Sequence, residues 1–209
     1  MMKRIDLETW NRKEHFHFFS TFDEPFFSLV SEIDCSQAYE KSKTGKPSFF
    51  ARYLHASIRT VNEIPEFKFR IHEDRVVQFD TINASPTLGR ADGTFGFGFI
   101  PYTEDLQDFA IALAADSERV SNSSGLGVNA NSTRQDVVHY SSIPWINFTA
   151  LTHARDFKFK DSAPKITFGK ASRKDQGLML PVSVTVHHGF VDGFHVGQFF
   201  ERFQELMDG

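Results

Sequence analysis

Cysteine is almost absent from the sequence, which contains Cys35 and no second thiol among its 209 residues. A single cysteine cannot form an intramolecular disulfide, and it cannot supply a CxxC zinc-binding motif. A chain of this length does not need such a staple, because folding buries roughly 70% of its unfolded surface. We therefore expect a fold that is stabilised by its hydrophobic core alone.

Long apolar runs and an excess of positive charge are also missing. No apolar stretch reaches the roughly 18 residues of a membrane-spanning helix. The formal net charge is −4, from 23 basic and 27 acidic residues, so neither nucleic acid nor an anionic membrane is expected as a partner. The opening residues, MMKRID, lead into acidic and polar side chains instead of an apolar segment. This start predicts no signal peptide and a cytoplasmic location.

Phenylalanine is the abundant residue, with 24 copies, which predicts a core or a pocket built from aromatic rings. The length fits one large domain or two small ones. We find no internal repeat and no long linker. The polar stretch 121–127 is interpreted as a loop, since strand patterns follow it without a change in composition. We therefore expect a single domain over residues 1–209.

The first half of the chain alternates between helical and strand patterns. Apolar spacing over residues 50–61 predicts a helix that stops before Pro65. Two short alternating runs within 67–79 surround a turn and predict a hairpin. Phenylalanine and glycine alternate over 95–99, which predicts a strand with one aromatic face and one bare face that a neighbour can approach closely. Thr103 is expected to cap the next helix.

The second half is richer in strand patterns. The expected strands are 137–140, 145–148, 165–168 and the long alternating run from Leu178. A hairpin turn is expected at 173–177, and a final helix is expected over 196–207. Strands and helices are mixed without regular βαβ alternation. The expected fold class is therefore α/β in the α+β sense, a two-layer sandwich of helices on a mixed, largely antiparallel sheet.

Strand alternation selects one histidine as a candidate base. Alternate residues from Leu178 to Val186 are apolar, and His188 follows at the same spacing. His188 is thus expected at the rim of the core, whereas His187 is expected on the more polar face. An imidazole suits a general base because its ordinary pKa, about 6.5, lies close to neutral pH.

Simpler roles for these residues remain open at this point. His188 could be a core-edge histidine that is bonded to a backbone carbonyl, and Asp192 could be only the N-cap of the following helix. A metal site would combine His187, His188, Asp192 and His195. However, adjacent strand residues point to opposite faces, and no zinc spacing motif matches, so we expect no metal.

Four segments resemble the CoA-dependent acyltransferases, and among them the chloramphenicol acetyltransferase family. Residues 188–193, HGFVDG, match the HxxxDG motif, which lipoamide acyltransferase cores also carry. Residues 10–16, WNRKEHF, resemble the amino-terminal WxRxEHF signature. Residues 141–148, SSIPWINF, resemble SxxPWxxF, and residues 163–167, APKIT, resemble APxxT. The segments occur in family order, and the resemblance covers essentially the whole chain.

The resemblance implies a homotrimeric acetyltransferase with its active sites at subunit boundaries. The cosubstrate would be acetyl-CoA, with no permanently bound cofactor. His188 matches the base that deprotonates the acceptor hydroxyl. Ser141 matches the donor to the oxyanion, and Thr167 matches a residue that holds the intermediate through a bound water. Arg12 and Asp192 match a buried ion pair that braces the catalytic turn.

Several positions depart from the family pattern around the acceptor. Phe19, Phe95 and Phe97 are expected to contact the acceptor. Phe19 stands where these enzymes usually place a tyrosine that hydrogen-bonds the drug, and Phe97 falls where a small residue is usual. His139 replaces an asparagine near the oxyanion serine. These changes bear on which acceptor is bound rather than on the transfer chemistry.

Two further positions bear on CoA. Lys170 follows Gly169 as in the family and is the candidate contact to a CoA phosphate. It could equally be a solvated hairpin lysine. Ala171 stands where an aromatic residue usually packs on the adenine, so that stacking contact is expected to be missing.

Three functions follow from these observations. The first is a chloramphenicol O-acetyltransferase that uses acetyl-CoA. The second is an acetyltransferase of the same fold that acts on another hydroxylated small molecule. The third is a non-catalytic binder of hydrophobic ligands, for which the phenylalanine surplus is the support.

Overall fold

The computed structural model describes residues 1–45 and 47–209, and within them the chain forms ten β-strands and five α-helices. The strands are β1 (Met2–Arg4), β2 (Phe26–Asp34), β3 (Phe69–His72), β4 (Arg75–Phe79), β5 (Asn83–Gly89), β6 (Phe95–Phe97), β7 (Val137–Ser142), β8 (Lys165–Phe168), β9 (Ser172–Lys174) and β10 (Gly177–His187). The helices are α1 (Lys13–Phe19), α2 (Ser36–Lys43), α3 (Phe49–Glu63), α4 (Leu106–Ser121) and α5 (Gly193–Asp208).

A mixed sheet of seven strands forms the scaffold of the described residues. Its order is β2-β10-β8-β7-β5-β6, and β9 pairs with β10. Strands β5, β7 and β8 run parallel to one another, whereas the other pairings are antiparallel. The prediction of a mixed, largely antiparallel sheet is therefore confirmed.

Helices α2 to α5 pack on one face of this sheet and on each other. On β10, the alternate residues Leu180, Val182, Val184 and Val186 are at most 1% exposed and belong to the same apolar cluster as the buried faces of α3 and α5. Helix α3 begins at Phe49 because the Ser48 side chain accepts a hydrogen bond from the backbone N–H of Ala51. The helices predicted over 50–61 and 196–207 are confirmed.

The opposite face of the sheet carries polar side chains in two rows that cross the strands. The strand register places these residues side by side. The His139 row consists of Ser85, His139, Lys165, Thr185 and Ser28. The Ser141 row consists of Ser141, Thr167 and Ser183, which lie two residues later on β7 and β8 and two residues earlier on the antiparallel β10. The helices lie on the other side of the sheet, so these polar side chains are kept apart from the hydrophobic core.

Strand β6 shows why glycine alternates with phenylalanine. A Cβ at Gly96 would lie 2.7 Å from the Arg90 guanidinium, and a Cβ at Gly98 would lie 2.8 Å from the Asp116 carboxylate on α4. The bare face is therefore the one that α4 approaches, as the alternation predicted. Phe95 and Phe97 face the other way.

Two local predictions were wrong. Helix α4 is capped by Asp105, whose carboxylate accepts from the N–H groups of Gln107 and Asp108, while the Thr103 hydroxyl donates to the Asp105 carbonyl instead. Residues 145–148 form no strand. The N–H of Ile146 turns back to the Ile143 carbonyl at 3.2 Å, so this segment opens an irregular stretch over 143–164.

A second, antiparallel sheet has the order β1-β4-β3. Its β3–β4 hairpin is the one predicted within 67–79. Phe67 itself lies in a short 3₁₀ turn, Pro65–Lys68, where its ring is fully buried. Among the described residues, no helix is long and apolar enough to span a membrane.

Candidate active site

The Ser141 row places three hydroxyl groups side by side on the polar face. Ser141 on β7 is the register neighbour of Thr167 on β8, and Thr167 is the neighbour of Ser183 on β10. The hydroxyls of Thr167 and Ser183 are buried without a hydrogen-bond partner among the described residues. Because buried polar groups are normally satisfied, this row is suited to receive a polar ligand or a water.

A cavity of about 460 Å³ opens beside Ser141. Phe95 and Phe97, two of the residues predicted to contact an acceptor, line this cavity. His139 and Lys165 lie on its floor in the neighbouring row. Phe19 and His188 are not among its lining residues. Within one chain, the predicted site residues therefore lie in two separate places.

His188 lies directly after the end of β10, between two aromatic rings. Its ring stacks on Phe19 with centroids 3.9 Å apart and planes 10° apart, and it packs on Phe27 at 4.5 Å. The backbone N–H of His188 donates to the Pro25 carbonyl at 2.8 Å. The Nδ1 atom is buried without a hydrogen-bond partner among the described residues. The imidazole is therefore half-buried at the rim of the core and held between two rings.

Arg12 holds the turn that follows His188. It is 8% exposed, and its Nη1 donates to Asp192 Oδ2 at 2.9 Å. The same guanidinium donates to the carbonyls of Gly189 and His188, each at 3.4 Å. The ion pair predicted for Arg12 and Asp192 is thus present, and the guanidinium clamps the backbone of the candidate base itself.

Asp192 is also the N-cap of α5, so the simpler role and the bracing role coexist. Its Oδ1 accepts from the Phe194 N–H at 3.0 Å, while Oδ2 accepts from Arg12. Partial burial alone would raise the pKa of Asp192. The hydrogen bond from Arg12 and the charge of His195 outweigh this effect and hold the pKa below its usual value.

We expect Arg12→Ala and Asp192→Ala to be strongly non-additive in the free energy of unfolding. Either change should cost about 2 kcal/mol, because it leaves a charged partner without its hydrogen bonds. The double variant should cost little more than the worse single variant, with a coupling energy of about 1–2 kcal/mol. Urea unfolding of the four proteins measures this coupling.

The exposed Lys174–Glu32 pair, at 2.6 Å, supplies the matched control for that cycle. The same cycle of single and double alanine variants at Lys174 and Glu32 should give a coupling energy of less than about 1 kcal/mol. Additive costs for Arg12 and Asp192 would mean that Asp192 serves only as a helix cap.

His187 lies in a different environment from the one predicted. It is 2% exposed and packs against Phe16, Phe26 and Phe190 rather than facing a polar surface. Alternation does place it on the polar side of β10, but Phe26, its register neighbour on β2, and the segment around Arg155 cover that end. Since His187 and His188 point into separate clusters, they cannot share a metal ion.

We expect His187 to make the fold sensitive to mild acid. The Gly189 N–H donates to its Nδ1 at 3.1 Å, which requires the neutral ring, and burial lowers its pKa to about 4. Between about pH 6.5 and 4 the unfolded chain takes up a proton that the folded chain refuses, so stability falls as the pH falls. The loss should be on the order of 2–3 kcal/mol.

Melting temperatures of His187→Asn across this pH range test the prediction, because the amide oxygen can replace Nδ1 and does not titrate. Its pH slope should be shallower than that of the wild type. His72→Asn, on the half-exposed β3 position, is the control and should keep the wild-type slope. Equal slopes for all three proteins would assign the acid sensitivity to other groups.

Strand register sets the distance between the two parts of the site. Thr167 lies opposite Ser183, and His188 follows Ser183 by five positions along the same strand direction. At about 3.3 Å per residue, His188 lies roughly 16 Å from the Ser141 row. Within one chain, the candidate base therefore cannot reach an oxyanion that Ser141 holds.

Of the two positions considered for CoA, Lys170 has an exposed side chain, and its N–H donates to the Ile146 carbonyl at 2.8 Å. Ala171 is half-buried against the core. Both therefore flank the end of β8, next to Thr167.

Sequence reasoning missed Lys165 and His153, which also line the cavity beside Ser141. Lys165 could have been found, because it is two residues before Thr167 and so shares its face of β8. His153 lies in the irregular stretch 143–164, where no periodicity indicates direction.

Comparison with known proteins identifies close relatives over the whole chain. The sequence profile of the chloramphenicol acetyltransferase family matches residues 1–204. Chloramphenicol acetyltransferase 3 of Escherichia coli is 30% identical over 210 residues, which cover 98% of this chain and 96% of that protein. The chloramphenicol acetyltransferase of Bacillus pumilus is 31% identical over 209 residues, which cover 100% of this chain and 94% of that protein.

Solved structures agree with these relatives. A chloramphenicol acetyltransferase superposes with a TM-score of 0.93 at 32% identity and covers 99% of this chain and 100% of its own. A dihydrolipoamide acetyltransferase of Azotobacter vinelandii superposes with a TM-score of 0.67 at 18% identity, covering 93% and 86%, which is a likeness of fold alone. The family and the relatives named above are acetyltransferases, enzymes that transfer acetyl groups. With its HxxxDG turn braced by Arg12 and its core sheet matched from end to end, this chain belongs to the chloramphenicol acetyltransferase family.

Proposed function

We propose that this protein is a chloramphenicol O-acetyltransferase, which transfers the acetyl group of acetyl-CoA to a hydroxyl of the antibiotic. The observation that carries the proposal is the position of His188. It is wedged between Phe19 and Phe27 on a turn that the Arg12–Asp192 pair holds, inside the HxxxDG match. The relatives named for this activity cover the whole chain at about 30% identity.

In the proposed reaction, His188 removes the proton from the acceptor hydroxyl as that oxygen attacks the thioester carbonyl. The new C–O bond gives a tetrahedral oxyanion, which then collapses and expels the CoA thiolate. The thiolate takes the proton from the imidazolium, so the base is regenerated. Cys35 has no part in this chemistry, because it is buried, its thiol donates to the Leu178 carbonyl, and its pKa is raised to about 12 by burial.

Stabilisation of the oxyanion is assigned to the Ser141 row. A hydroxyl donor at this place is commonly worth several kcal/mol, or about 10²–10³ in rate. Ser141 would donate directly, and the buried, unpartnered hydroxyl of Thr167 would hold a water against the intermediate. Lys170, exposed at the end of β8, is proposed as a contact to a CoA phosphate.

We further propose a homotrimer in which His188 of one copy completes the Ser141 row of its neighbour. The distance of roughly 16 Å between them within one chain supports a shared site. The family resemblance supplies the number of copies.

We also propose that residues 1–209 are a single catalytic domain, because one apolar cluster joins residues from Ile33 to Met207. A cytoplasmic location stays a prediction.

Release of free CoA thiol tests the transfer directly. Protein is mixed with acetyl-CoA and a thiol reagent, with and without chloramphenicol. The proposal expects release that requires chloramphenicol and that yields one acetylated drug molecule per thiol. Tight binding of chloramphenicol without release would favour the hydrophobic-ligand binder, and release with other alcohols but not with chloramphenicol would favour a different acceptor.

We expect Phe19→Tyr to lower the KM for chloramphenicol and to leave kcat nearly unchanged. Phe19 provides the ring that stacks on His188 but lacks the hydroxyl that would hydrogen-bond the drug. A net hydrogen bond is worth about 0.5–1.5 kcal/mol, or a factor of roughly 2 to 12 in KM if the hydroxyl contributes uniform binding. Steady-state kinetics measures both constants.

Phe22→Tyr is the matched control for that variant, since Phe22 packs on Phe19 at 5.5 Å and is 46% exposed. It should leave both constants unchanged. An unchanged or higher KM for Phe19→Tyr would mean that the drug does not lie against this ring.

A further inference from the structure

The cavity beside Ser141 has a floor of side chains that the proposed transfer does not use. His139 and Lys165 are register neighbours in the His139 row. They lie two residues, or about 7 Å, from Ser141 and Thr167 along their strands. His153 closes the same side of the cavity. A substrate whose hydroxyl reacts at Ser141 would therefore extend its far end over these three side chains.

These side chains have unused hydrogen-bonding capacity. His153 Nε2 is buried without a partner, and the His139 ring makes no hydrogen bond to any of the described residues. Lys165 Nζ donates to the Asp161 carboxylate and, at 3.4 Å, to the Ala163 carbonyl, which uses two of its three N–H groups. Of the three side chains, Lys165 is buried, His153 is half-buried and His139 is exposed to the cavity. The desolvated groups of Lys165 and His153 favour polar ligands, because an apolar ligand would leave them unpaired.

The floor is nevertheless close to electrically neutral. Lys165 is paired with Asp161, and Arg155 is paired with Glu24 at 2.8 Å. Desolvation by the cavity walls and the charge of Lys165 lower the pKa of His139, and burial lowers the pKa of His153 as well. Both rings are therefore uncharged at neutral pH, and each offers one donor and one acceptor. A ligand with its own charge would upset this balance.

The walls of the cavity combine flat rings with small polar groups. Phe95, Phe97 and Phe99 supply apolar surface, and the remaining walls carry hydroxyl and amide side chains. Those polar residues are Ser85, Thr87, Asn129, Asn131 and Ser132. A ring platform surrounded by neutral donors and acceptors suits a molecule with one apolar face and several hydroxyl groups.

We propose that this cavity also admits an uncharged polyhydroxylated acceptor, such as a sugar with an aromatic aglycone, and that His139, His153 and Lys165 select it. The transfer itself rests on the proposed function: one acceptor O–H gives up its proton to His188, the oxygen gains the acetyl group, and CoA leaves as the thiol. What is new is the acceptor class and the residues that determine it.

Phenyl β-D-glucopyranoside and phenyl β-D-glucuronide are the test acceptors, since they differ in one charged group. CoA release and mass spectrometry of the products are followed for each, with chloramphenicol as a third acceptor. We expect acetylation of the glucopyranoside, with a kcat/KM at least tenfold above that of the glucuronide. Acetylation of chloramphenicol but of neither glycoside would overturn the inference and leave the proposed function standing. Failure with all three acceptors would overturn both.

Two variants test whether the floor makes the selection. Lys165→Met combined with Asp161→Asn removes the ion pair at nearly constant volume, and His139→Phe removes an imidazole but keeps a ring. Each should lower the ratio of glucopyranoside to chloramphenicol kcat/KM by tenfold or more. The ratio cancels losses from partial unfolding, because both substrates report on the same folded fraction.

Lys174→Met combined with Glu32→Gln is the matched control, an exposed ion pair on β9 and β2. It should leave the ratio unchanged. An unchanged ratio in the floor variants as well would contradict the assignment of the floor, even if the wild-type protein acetylates the glycoside.

Discussion

Replacing His188 with alanine is expected to reduce kcat for chloramphenicol acetylation by about 10³, because the proposed general base is lost. A general base alone commonly contributes about 10²–10⁴. The neighbouring histidines are held elsewhere: His187 points into a separate aromatic cluster, and His195 contacts the carboxylates of Asp192 and Glu66. The reaction would then depend on deprotonation by water.

The fold should tolerate this change far better than the chemistry does. His188 is half-buried, and truncation removes ring contacts with Phe19 and Phe27 without leaving a buried charge. We expect a loss of stability of about 1–2 kcal/mol, by urea unfolding. His72→Ala, on the small sheet, is the control and should keep full activity. Near-wild-type kcat in His188→Ala would exclude His188 as the base. The urea curves show whether the variant is folded, so a loss of activity that comes from unfolding is not taken for loss of the base.

The sequence predicted those features of the fold that depend on local periodicity. The alternation along β10 correctly placed Val182, Val184 and Val186 in the core and brought His188 to the end of that row, because side chains on a strand alternate regardless of what lies beyond it. The environment of His187 was wrong for the complementary reason. Phe26 packs on the His187 ring and Arg155 lies over Phe26, and both come from distant parts of the chain.

The separation of the site into two places could not be read from the sequence. Spacing within motifs fixes neither which strands pair nor with what register, and it is the pairing of Thr167 with Ser183 that sets His188 roughly 16 Å away. The parallel pairing of β7 with β8 puts Lys165 beside His139, which gives the cavity its polar floor. The motif residues could therefore be identified from the sequence, whereas their placement in two separate parts of the chain depends on the sheet register.

Mixing two inactive variants is expected to restore activity, which a site contained in one chain could never do. Ser141→Ala keeps His188, and His188→Ala keeps Ser141. If each site takes Ser141 from one copy and His188 from the next, every mixed trimer contains a single intact site, whichever variant is present twice. Mixed trimers should therefore show about one third of wild-type kcat per trimer, since a closed ring of three head-to-tail contacts has three equivalent sites.

Co-expression with two different affinity tags isolates the mixed assemblies for this measurement. Ser141→Ala mixed with Thr167→Val is the matched control: the two hydroxyls are register neighbours on one chain, so every site of such a trimer carries one of the two lesions. That mixture should show no more than the mean of its two parents. Mixed Ser141→Ala and His188→Ala assemblies that stay inactive would contradict the shared site, and a particle near 24 kDa in light scattering would contradict the trimer as well. Restoration in the first mixture but not in the second would assign His188 and the Ser141 row to different copies, because the two lesions then compensate each other only across a subunit boundary.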